Sequence, residues 1–370
     1  MSPPNPTPAN RLGIDYRAAA ATFDNTPFPD GIIAAHHHVN GPKAAAINQR
    51  VMDAYNIRTL ISQTQLGEAA AVRDVLGDRI RFVAIPDYMA ENRGRAHREA
   101  FLENIQTFHD DFGAKIVKFW RAPRFRDYLI QADPNDTGED LVALDSEWVV
   151  RAAELATSLG MVLMTHVADP DTWFQTMYAD SARYGTKRDQ YLPLERMLDR
   201  FPTQWLLAHM AGSPEDLDFL DGLLTRHPNA HLDTSACKWM VRELSKHEPA
   251  RLRDFLTKWA GRISFGSDIV TSDGHLVQTD RDNKTFGIHL ANSEDEAFDL
   301  YASRYWALRT LFETDHNGES PIADPDLAMV DPEHHDAMSA PMLRGCSLPA
   351  DLLRTLYHTA AQSTLFADSK

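Results

Sequence analysis

The sequence predicts an α/β protein whose strands close into a (β/α)8 barrel, with an N-terminal extension and a C-terminal helical segment. Three observations predict it. Eight short apolar runs of strand character recur along the chain, and each gives way to a segment with helical periodicity. Strict alternation of buried strands and helices is the mark of parallel βα units. Several of the runs end in an ionisable side chain, as expected where barrel strands open onto an active face.

The elements follow in order. A proline-rich opening, Met1 to Leu12, reads as a floppy tail without the charged and apolar regions of a secretory signal. The first strand covers 31–39 and ends in His36-His37-His38 before the turn signal Asn40-Gly41. Side chains alternate along a strand, so His36 and His38 share a face that His37 does not. Helix 44–55 and strand 58–63 come next, then helix 69–76 and strand 80–85. Helix 96–112 leads to strand 114–120, which ends Lys118-Phe-Trp120. Helix 146–159 stops at Gly160, a residue suited to a C-terminal cap, before strand 161–167 with Thr165-His166. Two helical pieces fill 172–201, and strand 205–210 carries His209. Ser213-Pro-Glu-Asp216 reads as a helix start with a capping serine and proline at the first position. That helix runs to about Arg226, before strand 230–234. Residues 238–259 are helical with a break near Pro249, and strand 262–265 leads to Ser267-Asp268. The polar stretch 272–292 is long enough for a lid, and helix 294–314 follows.

The 370 residues are read as a single domain, with the barrel at about 31–315 and a loop and closing helix over 316–370. No internal repeat appears. A formal net charge of −16 argues against nucleic acid or an anionic membrane as partner. No run approaches the ~18 consecutive apolar residues of a membrane span. Two distant cysteines, Cys237 and Cys346, read as reduced thiols, so a cytoplasmic location is expected.

The chemistry gathers at strand ends: His36 and His38, Lys118, His166, His209 and Asp268. One such histidine is ordinarily a satisfied core residue. Five separate ends carrying ionisable groups point instead to a shared metal centre. Glu333-His-His-Asp336 offers similar residues, but in a proline-rich segment with no rigid element, and reads as a solvated loop. There is no dinucleotide-binding glycine loop, phosphate loop, HExxH or GxSxG motif.

This ordered set resembles the amidohydrolase superfamily, in its amidohydrolase-related branch of metal-dependent barrel hydrolases and decarboxylases. The resemblance runs from His36 to Leu348-Pro-Ala-Asp-Leu-Leu-Arg-Thr-Leu-Tyr357. Ala34 stands where many members carry aspartate, and Thr359 where asparagine is usual. The resemblance implies His36, His38, His166 and Asp268 as ligands of one divalent ion, with His209 and Asp268 as the catalytic pair. Such ligands suit Zn2+ first, while Mn2+, Fe2+ or Co2+ tolerate them. Lys118 is either a carboxylated bridge between two ions or an ammonium that binds a substrate carboxylate. Arg121, Arg124 and Arg126 can form an anion site above the metal or pair with Asp127 or Asp133. Trp120, Trp173 and Trp239 follow strand ends and can stack on a ring or pack in the core.

The expected activity is hydrolysis of an ester, lactone or amide in a small carboxylate-bearing substrate. The alternatives are non-oxidative decarboxylation of an aromatic or unsaturated acid, and a barrel that binds without catalysis. A homo-oligomer is a further expectation from the resemblance.

Overall fold

The computed structural model describes residues 6–277 and 290–366. Eight parallel strands run in chain order around the molecule: β1 (Ile32–Asn40), β2 (Ile57–Ser62), β3 (Ile80–Ala84), β4 (Ile116–Trp120), β5 (Val162–His166), β6 (Trp205–Leu207), β7 (Ala230–Asp233) and β8 (Ile263–Ser264). A ninth short strand, β9 (Val270–Ser272), pairs with β1. Each strand is hydrogen-bonded to the next, from β1–β2 to β7–β8.

β8 and β9 belong to one run of chain, and that run closes the ring. Its first part pairs with β7 through Leu232–Ile263 and Asp233–Ser264. Its last part pairs with β1 through His38–Val270 to Asn40–Ser272. Between them Ala35 N donates to Phe265 O, and Ser267 N and Asp268 N both donate to His36 O. The eighth strand is therefore interrupted where Asp268 adopts φ 51°, and the kink aims its side chain inward.

The helices cover the outer face. Pro42–Ala54 is typical: proline sits in its first turn, and Ala44, Ala45, Ile47, Asn48, Val51 and Met52 are buried on one stripe. The C-terminal helical stretch, Ala350–Leu365, widens over Thr355–Thr359. That frees the Leu356 carbonyl to accept from Phe265 N at 2.9 Å, which ties the stretch to the seam of the ring.

Four expectations need correction. β6 stops at Leu207 rather than at Met210, because His209, Met210 and Ala211 all take left-handed backbone angles. The helix after it starts at Leu217, capped by Asp216 accepting from Phe219 N, and Ser213 lies in the preceding turn. Residues 172–201 hold three helices: Asp171–Phe174, Ser181–Tyr184 and Lys187–Arg200. The arginine-bearing stretch after β4, for which no element is expected, runs directly into a helix, Phe125–Ala132, that buries Phe125 and Leu129.

Residues 6–12 of the proline-rich opening are held. Arg11 N donates to Pro321 O, Arg11 pairs with Glu319, and Ala323 N donates to Pro8 O. Both cysteines are free and buried. Of the expected lid at 272–292, residues 278–289 lie outside the described residues. No helix among the described residues is long and apolar enough to cross a membrane.

Candidate metal centre

Strand pleating carries the histidine run to opposite sides. His37 faces outward, where Nε2 meets Asn48 Oδ1 and Nδ1 meets Ser267 Oγ, both at 3.1 Å. His36 and His38 face the ring interior. There the side chain of Asp268 is the meeting point. Its Oδ1 lies 3.1 Å from His36 Nε2 and 2.9 Å from His38 Nε2, and its Oδ2 lies 3.8 Å from His209 Nε2. Three imidazole nitrogens, two from β1 and one from the turn after β6, thus converge on one carboxylate.

The donor set fits a divalent cation. His36 Nδ1 is 3.0 Å from Asp233 Oδ2, and a hydrogen bond to that carboxylate places the ring proton on Nδ1. Nε2 then carries a lone pair, and it accepts from the Lys118 ammonium at 3.0 Å. A lone pair facing the Asp268 oxygen is repulsive unless a proton or a cation lies between them. Ligand atoms of His36, His38 and Asp268 all fall within 4.8 Å of one another. Burial works to raise the Asp268 carboxyl, but the His36 and His209 rings beside it and the hydrogen bond from His38 hold it well below the usual carboxylate range. Burial also pulls the His38 and His209 rings down, so the charged form of Asp268 is favoured while the charged forms of these two rings are disfavoured.

His166 stands beside this group rather than in it. Its Nε2 is 2.7 Å from Asp169 Oδ1, and its ring meets His209 edge-on with centroids 4.6 Å apart. Tyr178 donates to the same Asp169. Among the described residues, His36 also forms a second close group with His209 and Asp233.

Asp233 is the member that strand reading missed. It is the last residue of β7, and it is completely buried. Its Oδ1 accepts from His209 N at 2.8 Å and Ser235 N at 3.0 Å, while Ser235 Oγ bridges to His209 Nδ1 at 2.7 Å. The signal was present, because Leu232-Asp233 also ends an apolar run in a carboxylate. This carboxylate helps to hold His209 in its left-handed backbone, a conformation that persists only when its surroundings determine it.

The flank of the site is aromatic. The Trp239 ring lies 5.6 Å from His209 and 6.0 Å from His166. Trp173 Nε1 and Trp239 Nε1 both donate to Asp326 Oδ2, at 2.9 and 3.0 Å. Arg124 lies over Trp120 and Trp173, 5.6 and 5.4 Å from their ring centroids. Arg121 does not join it. Its guanidinium packs 4.3 Å from the Phe125 ring on the outer side of β4. Asp127 pairs with Arg183 and not with the arginines of this loop. His334 of the 333–336 segment is exposed and pairs with Asp331.

A closed ring of eight strands with histidines and a carboxylate converging at one mouth defines a metal-dependent barrel enzyme. The chain belongs to the amidohydrolase family, whose model, described as Amidohydrolase, matches residues 33–338. No curated protein gives a significant match. Among solved structures, the chain is similar to 5-carboxyvanillate decarboxylase from Novosphingobium aromaticivorans complexed with manganese, at 12% identity and TM-score 0.44 over 93% of this chain and 97% of that one. It is also similar to 2,6-dihydroxybenzoate decarboxylase from Rhizobium, at 15% identity and TM-score 0.40, covering 81% and 95%. N-acetyl-D-glucosamine-6-phosphate deacetylase from Mycobacterium smegmatis matches at 12% identity and TM-score 0.40, covering 90% and 75%. Likenesses this distant say nothing about substrate.

The two faces of β1 make a paired prediction. His38→Asn should lower the bound metal at least about tenfold. His37→Asn should leave metal content near wild type and lower stability by roughly 1–3 kcal/mol through its buried hydrogen bonds. Elemental analysis and urea unfolding measure the two, and equal metal loss in both variants would overturn the register.

Proposed function

We propose that the chain is a metal-dependent hydrolase that cleaves an ester, lactone or amide bond in a small carboxylate-bearing substrate. The observation that carries this reading is the convergence of His36, His38 and His209 Nε2 on the Asp268 carboxylate. His36, His38 and Asp268 would hold the ion, His36 Nε2 giving up its hydrogen bond from Lys118 to do so, with His166 completing the set if its ring turns from Asp169. Zn2+ suits these donors best. When bound, the ion supplies Lewis acidity to the substrate carbonyl and acidifies water.

The chain's own groups do the rest. Asp268 accepts a proton as water adds to the carbonyl carbon. His209, on a turn held by Asp233 and Ser235, donates toward the oxygen on which charge develops. The bond to the leaving group then breaks, and the proton held by Asp268 passes to that group. Lys118 is buried beside His36, and burial pushes its ammonium down to about 8 against the pull of Asp268 and Asp233. Its ammonium suits a substrate carboxylate, with Arg124 at the tryptophans as a second anchor. Trp120 and Trp173 offer ring faces beside it.

One observation favours decarboxylation as the second reading. Among the described residues, the Lys118 ammonium contacts an imidazole and no carboxylate oxygen within ion-pair distance, so it could also act as a proton donor to carbon. Product analysis decides between them. Protein loaded with Zn2+ or Mn2+ should open lactones or cleave amides in H2 18O with label in the product acid, and a chelator should stop it. Release of CO2 from an aromatic or unsaturated acid, without hydrolysis of any ester, lactone or amide, would sink the hydrolase reading.

A further inference from the structure

Arg121 is 4% exposed, yet among the described residues it forms no ion pair. Its Nη1 donates to the Trp120 carbonyl at 2.6 Å, and its Nε has no hydrogen-bond partner. Burial pushes the guanidinium down to about 10, and the one charge interaction that works the other way is with the Tyr88 hydroxyl. Packing on Phe125 offsets part of the lost hydration, but a buried cation is normally matched by an anion.

The match is supplied by what Arg121 lines. A cavity of about 410 Å³ opens beside it, walled also by Arg126, Arg183 and Arg196. Arg183 and Arg196 are committed to Asp127 and Asp145, whereas Arg126, like Arg121, forms no ion pair among the described residues. The one carboxylate in the wall, Asp189, already accepts from the Thr186 N–H and hydroxyl. In a chain of net charge −16, this cavity carries a local excess of positive charge.

The cavity is not the metal centre. Lys118 points into the ring to reach His36, and Phe119 points out to pack on Phe101 at 6.0 Å. Arg121 continues the outward set, with its N–H on His166 O at 2.9 Å. None of His36, His38, Lys118, His166, His209 or Asp268 lines the cavity.

We propose that Arg121 and Arg126 form a second site, outside the barrel mouth, for a small dianion of the phosphate type. Guanidinium forks suit such an oxyanion, and a partly desolvated setting strengthens each charge-assisted hydrogen bond.

The test is thermal unfolding of the metal-free protein titrated with inorganic phosphate, so that binding to an ion at the metal centre does not contribute. The expected result is a saturable rise in Tm, half-maximal on the order of millimolar phosphate, that chloride at equal ionic strength does not reproduce. Arg126→Ala should raise the half-maximal concentration roughly fivefold and Arg121→Gln at least about tenfold. Arg124→Ala, on the tryptophan side, should leave the titration unchanged. If Arg121→Gln fails to fold, Arg126→Ala and the wild-type titration decide. A rise that does not saturate, or one that both arginine variants share unchanged, would be the general effect of an excluded salt and would overturn the proposal.

Discussion

Asp268→Asn should lower kcat by at least about a thousandfold in metal-loaded protein, the range expected when a positioned proton acceptor is lost. The substitution removes the one group that His36, His38 and His209 all face. An amide at this position offers one acceptor oxygen in place of two and carries no charge. Its NH2 would point a donor at a ring nitrogen or at the cation itself. Metal content should fall as well, because the anionic ligand is gone. Steady-state kinetics alongside elemental analysis separate the two effects. A variant that keeps its metal and turns over within tenfold of wild type would remove Asp268 from the proton path.

Gly212→Ala should lower stability by at least about 3–4 kcal/mol, among the largest effects expected of a single substitution. Gly212 closes a run of four left-handed residues, His209 to Gly212, at φ 74°. A β-carbon there would lie 2.0 Å from the Ala168 carbonyl oxygen and 2.4 Å from its carbon. Both atoms are backbone, so no side chain can rotate away. Relief requires the chain after β5 to shift, and that chain leads directly into Asp169, the partner of His166. The turn is also tied at Ala211, whose carbonyl accepts from the Tyr191 hydroxyl at 2.9 Å. Urea unfolding measures the loss, and a change below about 1 kcal/mol would mean that the turn tolerates movement. Any variant that folds should lose activity out of proportion, because the same turn carries His209.

The residues of β1, β4 and β5 show why so much of the centre is legible in one dimension. Pleating is local, so His36 and His38 share a face wherever that strand sits, and Lys118 follows Ile116 inward by the same rule. Chain order supplied the rest of the ring, because parallel βα units add strands in sequence. His209 shows where that reasoning stops. Strand alternation places it at the end of β6, whereas the backbone is left-handed from His209 to Gly212, held by Asp233 at the end of the neighbouring β7 and by Ser235 just after it. Those partners are 24 and 26 residues away in sequence, and no local propensity encodes the contact. Asp268 is similar: its inward aim comes from a break between β8 and β9 that pairing with His36 imposes.

By itself, then, the chain determined an alternating barrel and the faces on which its strand-end histidines lie, because apolar periodicity and pleat parity act between near neighbours. Tertiary structure alone decided how Asp268 reaches three imidazoles, that Asp233 sets the proton on His36, that His166 turns to Asp169, and that Arg121 and Arg124 part company across β4. The physical reason is common to all four. Each depends on which groups meet across the ring once it closes, and burial makes those meetings strong enough to override local preference.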